Sequence, residues 1–298
     1  MQYIRKFEHP KLRNPVLIAA FEGWNDASEV ATWAARSLVR QWSATKFAEV
    51  DPEEFYVFTD TRPQVRWVEQ QRTINWPANE FYYHQDPQGE RDFVILIGIE
   101  PNLRWHTFVA TIMEMLGEMQ VSIVITLGGL LAAVPHTQPA RLTGTATDPD
   151  LLKHLQEIKV NTSRYEGPTG IVGVLSNALN QAQIPTASLW GNVPHYLSAQ
   201  PNVKVSLAML RQLSKVLHLD LDLGRVERRA ARFDTQVNEA VAANTEISSY
   251  VRQLEEQEGR VGEDTPSTFE ELPSGEALVK ELEEFLRQSR EPGEDKQG

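Results

Sequence analysis

The chain has 298 residues, of which 41% are hydrophobic and none is cysteine, and it carries a formal net charge of −12. This composition allows one large or two small domains, and the lack of cysteine excludes disulfides, thiol catalysis and thiolate metal sites. No apolar run reaches the roughly 18 residues that a membrane helix needs, and the first residues lack the apolar core of a signal peptide. We therefore expect a cytoplasmic protein that enters no membrane.

The negative charge is concentrated near the end of the chain. Residues 255–298 contain fourteen Asp or Glu and five Lys or Arg, a net charge of −9, which leaves −3 for residues 1–254. Nucleic-acid binding needs a clustered basic face, so this distribution argues against a nucleic-acid partner. The acidic end is either a solvated tail, which we favour, or an arm that binds a basic partner.

Predicted strands and helices alternate along the first 220 residues. The apolar pattern predicts strands at residues 16–20, 55–59, 73–76, 80–84, 93–99, 121–127, 141–146 and 186–189. It predicts helices at residues 27–42, 105–119, 149–157, 170–181 and 202–217. The strands on either side of Pro77-Ala78-Asn79 are expected to form a hairpin or a small β-flap around residues 73–84. The alternation predicts an α/β fold over residues 1–220, a three-layer α/β/α sandwich with a mainly parallel mixed sheet.

Residues 225–258 carry a longer pattern. Apolar residues recur there at separations of mostly three, four or seven, and no Gly or Pro interrupts them before Gly259. This predicts a single helix of roughly 34 residues, about 50 Å long. Its narrow apolar seam needs a partner, either the preceding helix or another subunit. Residues 259–298 follow as an acidic tail, with a short amphipathic helix predicted at residues 274–290.

The first predicted strand leads into Glu-Gly-Trp-Asn-Asp at residues 22–26 and then into a helix. Asn25 or Asp26 can cap that helix, and Glu29 stands where a capping box from Asp26 requires it. Strand ends of this kind hold the ligands of open α/β sheets. Glu22 and Asp26 can therefore act as acid and base or hold a hard metal ion. The reading we favour is that Asp26 caps the helix and Glu22 bonds the loop.

Two glycine-containing segments are candidates for anion binding. Gly128-Gly129 follow a buried strand, and Gly167-Pro168-Thr169-Gly170 precede a helix, whose free N–H groups can bind an anion. Neither segment matches a Rossmann fingerprint or a phosphate-binding loop. We favour tight turns that only glycine fits, with a phosphate site as the alternative.

His136 and His195 each follow Val-Pro just after an apolar strand. If both strands end at the same edge of the sheet, both imidazoles face one crevice, where they can move protons or bind a metal. The alternative, which we prefer, is two loop histidines that hydrogen-bond to the backbone. The candidate crevice thus comprises Glu22, Trp24, Asn25, Asp26, Gly128, Gly129, His136, Gly167, Thr169, Gly170 and His195. We assign no catalytic residue, metal or cofactor to it.

Five motifs carry a family resemblance through their order and spacing. They are Glu-Gly-Trp-Asn-Asp-Ala at 22–27, Glu-Pro-Asn-Leu-Arg-Trp at 100–105, Leu-Ala-Ala-Val-Pro-His-Thr at 131–137, Gly-Pro-Thr-Gly-Ile at 167–171 and Val-Pro-His-Tyr at 193–196. The chain resembles the proteasome assembly chaperone 2 family in its long actinobacterial form, over about residues 15–255. The resemblance implies a fold similar to nucleoside phosphorylases and peptidyl hydrolases. The family's eukaryotic members help to assemble the proteasome α-ring.

The resemblance implies a non-enzymatic binding or assembly protein, and the family likeness together with the helix seam favours a homo-oligomer, a trimer. Proteasome α-subunits are candidate partners. Some family members dock into α-ring pockets with a hydrophobic residue, Tyr and a final residue, whereas this sequence ends in Glu294-Asp295-Lys296-Gln297-Gly298, which argues against that contact. Two alternatives remain open. One is a phosphorylase- or hydrolase-like enzyme with Asp26 or a histidine as its base, and the other is an oligomeric scaffold with a vestigial pocket.

Overall fold

The computed structural model describes residues 2–87, 89–163, 165–198 and 200–258. Its strands are β1 (Ile4–Lys6), β2 (Val16–Glu22), β3 (Thr45–Val50), β4 (Gln64–Val68), β5 (Gln71–Asn75), β6 (Asn79–His84), β7 (Phe93–Ile99), β8 (Ile123–Ala132), β9 (Leu142–Ala146), β10 (Asn161–Thr162) and β11 (Thr186–Pro194). Its helices are α1 (Val30–Trp42), α2 (Trp105–Met119), α3 (Pro149–Glu157), α4 (Ile171–Gln181), α5 (Val203–Leu217), α6 (Gly224–Ala243) and α7 (Thr245–Glu258). Within these residues, no helix is both long and apolar enough to span a bilayer.

Nine strands form one sheet in the order β1-β3-β6-β7-β2-β8-β11-β9-β10. The four central strands β7, β2, β8 and β11 are parallel to their neighbours within that group. β6 and β9 run antiparallel to this group on either side of it, and β3 pairs antiparallel with β6. The prediction of a mainly parallel mixed sheet is confirmed. β2 shows why the sequence predicted the central strands correctly. A strand that is covered by helices on both faces is apolar at nearly every position.

Helices cover both faces of the sheet. Along β2, Ile18 and Ala20 lie in the core beneath α1 and α5, whereas Ala19 and Phe21 lie in the core beneath α2 and α4. α3 adds Leu155 to the first of these cores. The three-layer α/β/α sandwich is therefore confirmed, with two separate hydrophobic cores divided by the sheet.

The strand predicted at residues 55–59 is wrong, because these residues form turns. Phe55 is nevertheless fully buried, with its ring 5.2 Å from that of Phe108. The apolar residues at 55–59 therefore belong to a loop that packs into the core, and they do not form a strand. The strand in this region is β3, which the pattern missed because charged residues interrupt it. Two of them, Lys46 and Glu49, pair with each other at 2.6 Å.

The predicted hairpin around Pro77-Ala78-Asn79 is also wrong. β5 pairs with β4 in a separate two-stranded ribbon, and β6 joins the main sheet between β3 and β7. The ribbon turns at Glu69 and Gln70, both with positive φ (47° and 65°), as in a tight hairpin turn. All ten residues of its two strands are exposed. The β4–β5 ribbon therefore stands out from the folded body.

The single helix predicted for residues 225–258 is two helices. Asn244 is extended (φ −122°, ψ 116°) and ends α6. Its side-chain oxygen accepts the N–H groups of Glu246 at 2.9 Å and Ile247 at 3.1 Å, so Asn244 caps α7. The apolar seam is buried within the chain. Its residues pack between α6 and α7, on the 3₁₀ turn His195–Leu197 and on α5. The predicted acidic tail and its helix at residues 274–290 lie outside the described residues.

Replacement of Asn244 by alanine should lower the free energy of unfolding by about 1 kcal/mol, because α7 loses its N-terminal cap. Urea denaturation measures this change. The control is Asn180→Ala on the exposed face of α4, which should alter stability by no more than about 0.5 kcal/mol. Equal effects of the two substitutions would contradict the capping role.

Candidate functional site

The predicted crevice residues gather at the carboxyl edge of the sheet, where an open α/β sheet holds its ligand. β2 ends there at Glu22, β7 at Ile99, β8 at Ala132 and β11 at Pro194. The loop after β2 meets Glu100 and the start of α4. Further along the same edge, the segments that contain the two histidines meet α6 and α7.

Asn25 and Glu100 close the first part of this edge. Asn25 is fully buried, and its side-chain Nδ2 donates to Glu100 Oε1 at 2.8 Å. The same oxygen accepts the N–H of Ile171, the first residue of α4, at 2.7 Å. A protein carboxylate thus lies at the helix N-terminus that was the candidate for a bound phosphate. Glu100 was not among the predicted crevice residues, although it directly follows the buried strand β7 and opens one of the five motifs.

Two glycines near Asn25 and Glu100 adopt positions or conformations that a larger residue would not fit. A Cβ on Gly170 would lie 2.2 Å from Asn25 Oδ1 and 2.6 Å from Glu100 Oε1. Gly23 has φ +112°, a conformation that other residues rarely adopt. Thr169, one residue before Gly170, is exposed, as are Gly167 and Pro168. Of this loop, Gly170 is therefore the residue that packs against internal side chains.

Asp26 caps α1, although it lies further before the helix in sequence than an N-cap residue usually does. Its Oδ1 accepts the N–H of Ala31 at 2.7 Å, and its Oδ2 accepts the N–H of Thr32 at 3.2 Å and also the Thr32 hydroxyl. These partners lie five and six residues ahead because a 3₁₀ turn at Ala27–Glu29 precedes α1. Both carboxylate oxygens are consequently engaged in holding the helix. Burial raises the pKa of Asp26 to about 6.

The predicted capping box does not form. The backbone N–H of Asp26 donates to the carbonyl of Gly23 at 3.1 Å, and the Glu29 side chain is exposed. Glu22 instead forms an ion pair with Arg36 of α1. Trp24, between the two carboxylates in sequence, is 54% exposed. Glu22 and Asp26 thus hold separate partners, and Glu22 pairs with a residue of α1 and not, as we had expected, with the loop.

Gly128 and Gly129 do not form a loop, because β8 continues through both of them. A Cβ on Gly129 would lie 2.4 Å from Val30 Cγ2 and 2.9 Å from the carbonyl oxygen of Ala27. A Cβ on Gly128 would lie 2.6 Å from the indole of Trp190. The tight turn that we favoured at these residues does not form, and neither does the loop that the phosphate alternative needs. Glycine is required because neighbouring elements pack directly on the strand.

Gly129→Ala should reduce the free energy of unfolding by about 1–3 kcal/mol, since the new methyl group overlaps the backbone of the 3₁₀ turn. Gly117→Ala is the matched control, because its Cβ meets nothing within 4 Å. It lies inside α2 and should stabilise the protein by about 0.5–1 kcal/mol. Chemical denaturation of both variants provides the comparison, and a neutral Gly129→Ala would refute the packing argument.

Each histidine is buried and hydrogen-bonded through both ring nitrogens. His136 Nδ1 lies 2.8 Å from the Tyr196 hydroxyl, and its Nε2 lies 3.1 Å from Asn238 Oδ1 in α6. His195 Nδ1 lies 3.3 Å from the carbonyl of Ala132, and its Nε2 lies 3.2 Å from the Tyr250 hydroxyl in α7. The rings of both histidines contact Tyr196 edge-on. We call His136, His195, Tyr196 and Tyr250 the His–Tyr cluster.

The His–Tyr cluster fastens the two C-terminal helices to the sheet edge. The histidines do share one edge, as the sequence suggested, but α6 and α7 cover the space that they were expected to face. Their tyrosine and asparagine partners lie 55 to 102 residues away in sequence, beyond the reach of motif reasoning. Burial lowers the pKa of His136 and of His195, so the folded state disfavours protonation of either ring.

Protonation should therefore destabilise the fold on mild acidification. Because the unfolded chain binds these protons more readily, the stabilising contribution of each histidine is complete above its ordinary pKa of about 6.5 and falls as the pH drops below it. Asp26 acts in the opposite direction, because its folded-state pKa is raised and the folded state gains stability as the pH falls through about 6.

His195→Phe should flatten the decline of unfolding free energy between about pH 7.5 and pH 5.5, by up to about 1.4 kcal/mol per pH unit for one proton. Urea titrations across this range measure the slope. Tyr250→Phe is the control, since it removes the hydroxyl partner but keeps the buried imidazole, and it should retain the steeper slope. Identical slopes for His195→Phe and the unaltered protein would count against the linkage.

The cavities near these residues differ in size, and an open depression of about 380 Å³ borders Tyr250 on α7. One of about 20 Å³ lies beside His136, with Asn192, Lys204 and Phe233 among its walls, and has room for roughly one water molecule. A groove of about 610 Å³ opens at the amino ends of the strands, between His154 and the chain near Phe93, away from the predicted crevice. Among the described residues there is no group of three or more His, Asp or Glu placed to hold a metal ion.

The fold and the five sequence motifs agree with a comparison to known protein families. The PAC2 family model matches residues 20–241, and the chain belongs to that family. Among curated proteins, no match to the sequence is found.

Three solved structures extend the comparison. A PAC2 family protein from Streptomyces avermitilis is 38% identical, with a TM-score of 0.73 over 80% of this chain and 99% of its own. A Mycobacterium tuberculosis proteasome-assembly chaperone homologue is 36% identical, with a TM-score of 0.72 over 79% and 99%. A second M. tuberculosis protein, of unknown function, is 26% identical, with a TM-score of 0.77 over 97% of both chains.

Proposed function

We propose that this protein is a non-enzymatic binding or assembly protein that uses the carboxyl edge of its sheet as a protein-contact surface. One observation carries this proposal. Asp26, Glu100 and the Nδ2 group of Asn25 are engaged with each other or with the backbone, whereas large apolar side chains around them face solvent. A small-molecule site instead encloses its apolar side chains in a concave pocket with a few polar groups directed at the ligand.

Exposed apolar residues follow several strands at this edge. Trp24 follows β2 and Leu103 follows β7, and both are exposed. The β4–β5 ribbon leaves from the same edge, because β3 runs in the direction of β7 and β6 returns antiparallel to both. On one face of the ribbon Val65 pairs with Ile74, and Trp67, two residues along, is 72% exposed. Exposed tryptophan and aliphatic side chains are typical of protein-binding surfaces.

The comparisons suggest the kind of partner. Since the M. tuberculosis relative at 36% identity is described as a proteasome-assembly chaperone homologue, we propose proteasome α-subunits as partners, in the cytoplasm. We also propose that the protein is a homo-oligomer, with a trimer as the favoured state. The helix seam no longer supports self-association, because α5, α6 and α7 bury it within the chain. The exposed face of the β4–β5 ribbon supports it instead.

The test is native mass spectrometry of the protein isolated at low salt from its own cells. We expect an oligomer, alone or with α-subunits. Val65→Ser, Trp67→Ser and Ile74→Ser combined should weaken the association at least tenfold, about 1.4 kcal/mol, because central apolar anchors dominate interfaces. Circular dichroism checks that this variant remains folded.

The control changes the opposite face of the same ribbon, with Gln64→Ser, Arg66→Ser and Thr73→Ser combined. This variant should retain the association. A bare monomer for the unaltered protein would refute the contact surface. A small molecule retained at one per chain would favour the enzyme reading instead.

A further inference from the structure

The groove of about 610 Å³ lies at the amino ends of the four central strands, at the opposite edge of the sheet from the proposed contact surface. β2, β7 and β8 begin at its base with Val16, Phe93 and Ile123, and Pro185 directly precedes β11. The start of α3, the end of α5 and residues 86 and 89–91 between β6 and β7 form its walls. We call this cavity the amino-end groove.

The base of the amino-end groove is apolar. Val16 and Phe93 are buried there, and around them are partly exposed apolar side chains, namely Ile123, Leu151, Leu217 and Leu219. The volume lies within the range of about 300–1,000 Å³ of small-molecule sites, which are also mainly apolar with a few polar groups. Open α/β sheets usually hold their ligands at the carboxyl ends of the strands. The amino-end groove is therefore a separate site.

The polar side chains of the amino-end groove are mainly acidic. Its lining contains four carboxylates and one guanidinium group, from Asp86, Glu90, Asp148, Asp150 and Arg91. Arg13 lies beside Asp86, because its guanidinium group donates to the backbone carbonyl of that residue. In the part of the chain that the structure describes, no basic side chain forms an ion pair with Glu90, Asp148 or Asp150.

The two helix ends at the groove bear on its charge. α5 ends there at Leu217, and the partial negative charge of a helix C-terminus favours a cation. α3 begins there with the opposite partial charge, but Asp148 Oδ1 meets it by accepting the N–H groups of Asp150 and Leu151, each at 3.0 Å. Glu90 and Asp150 therefore remain to attract a positively charged ligand.

Two histidines add a hydrogen-bond acceptor to the wall. The rings of His154 and His218 are 5.2 Å apart. His154 Nε2 lies 3.1 Å from the carbonyl oxygen of Lys215, which only accepts, so Nε2 carries the proton and Nδ1 of the neutral ring is an acceptor. Carboxylates and acceptors above an apolar base select a ligand that is positively charged, donates hydrogen bonds and has an apolar body.

We propose that the amino-end groove binds a small organic cation, an ammonium group on an aliphatic chain. The aliphatic chain contacts the apolar base at Ile123, Leu151 and Leu219, and the ammonium group pairs with a carboxylate of the rim, Glu90 or Asp150. This site is independent of the proposed contact surface, because it shares no residue with the carboxyl edge or the β4–β5 ribbon.

Isothermal titration calorimetry of the full chain with hexylammonium chloride tests the proposal. We expect one binding site per chain. Ethylammonium should bind at least about tenfold more weakly, because it lacks four methylene groups of apolar contact. Hexanoate should also bind at least about tenfold more weakly, because its charge is opposite. These comparisons use the unaltered protein and do not depend on the folding of a variant.

Glu90→Gln and Asp150→Asn combined should weaken the binding of hexylammonium about threefold or more, because two rim charges are lost while the Asp148 cap is kept. The control removes two exposed acidic charges outside the groove, with Asp60→Asn and Glu69→Gln combined, and should bind as the unaltered protein does. Circular dichroism checks that both variants are folded. The groove variant also distinguishes a ligand of this site from a molecule retained at the carboxyl edge, which it should leave in place.

Four outcomes would overturn the proposal. One is no binding of hexylammonium at concentrations up to about 10 mM. Another is an affinity for ethylammonium or hexanoate that equals the affinity for hexylammonium. A third is an unchanged affinity in the groove variant, or an equal loss in the control. The last is binding of a short arginine-rich peptide without binding of hexylammonium, which would assign the groove to a protein partner.

Discussion

The carboxylate of Glu100 is the constraint on which the arrangement of the carboxyl edge depends. One oxygen receives the Asn25 amide and the first N–H of α4, so the ends of two parallel strands and the start of a helix are held by a single charge. A buried polar group must be paired, and here the pairing consumes the donors that a substrate anion would use. These bonds therefore order the loops at the edge of the sheet where open α/β folds hold their ligands.

A second set of internal contacts closes the rest of the edge. The His–Tyr cluster ties α6 and α7 to the ends of β8 and β11, with both imidazoles buried and hydrogen-bonded at each nitrogen. Histidine and tyrosine side chains, which are often assigned catalytic roles, here hold secondary-structure elements together through hydrogen bonds. Apolar side chains, above all Trp24 and Trp67, are left in solvent. This distribution is the basis of the protein-contact surface that we propose.

The charged residues are also unevenly distributed. The folded body is nearly neutral in sum, yet it concentrates arginines around Trp33, while the end of the sequence concentrates carboxylates. Net charge alone argued against a basic surface, because a total conceals local clustering. Helix packing decides which charges meet, since Arg40 and Arg229 are 189 positions apart in sequence and share one indole only through the contact of α1 with α6.

The sequence by itself determined the α/β class, the central parallel strands and the family, because buried strands and amphipathic helices leave local patterns and the motifs keep their order. It also located the residues of the carboxyl edge. It could not give their partners. Glu100, Tyr196 and Tyr250 bond across long separations, and burial of polar pairs leaves no local periodicity. Tertiary structure alone decided that Gly129 lies inside a strand and that the edge is filled, because both depend on which distant elements pack together.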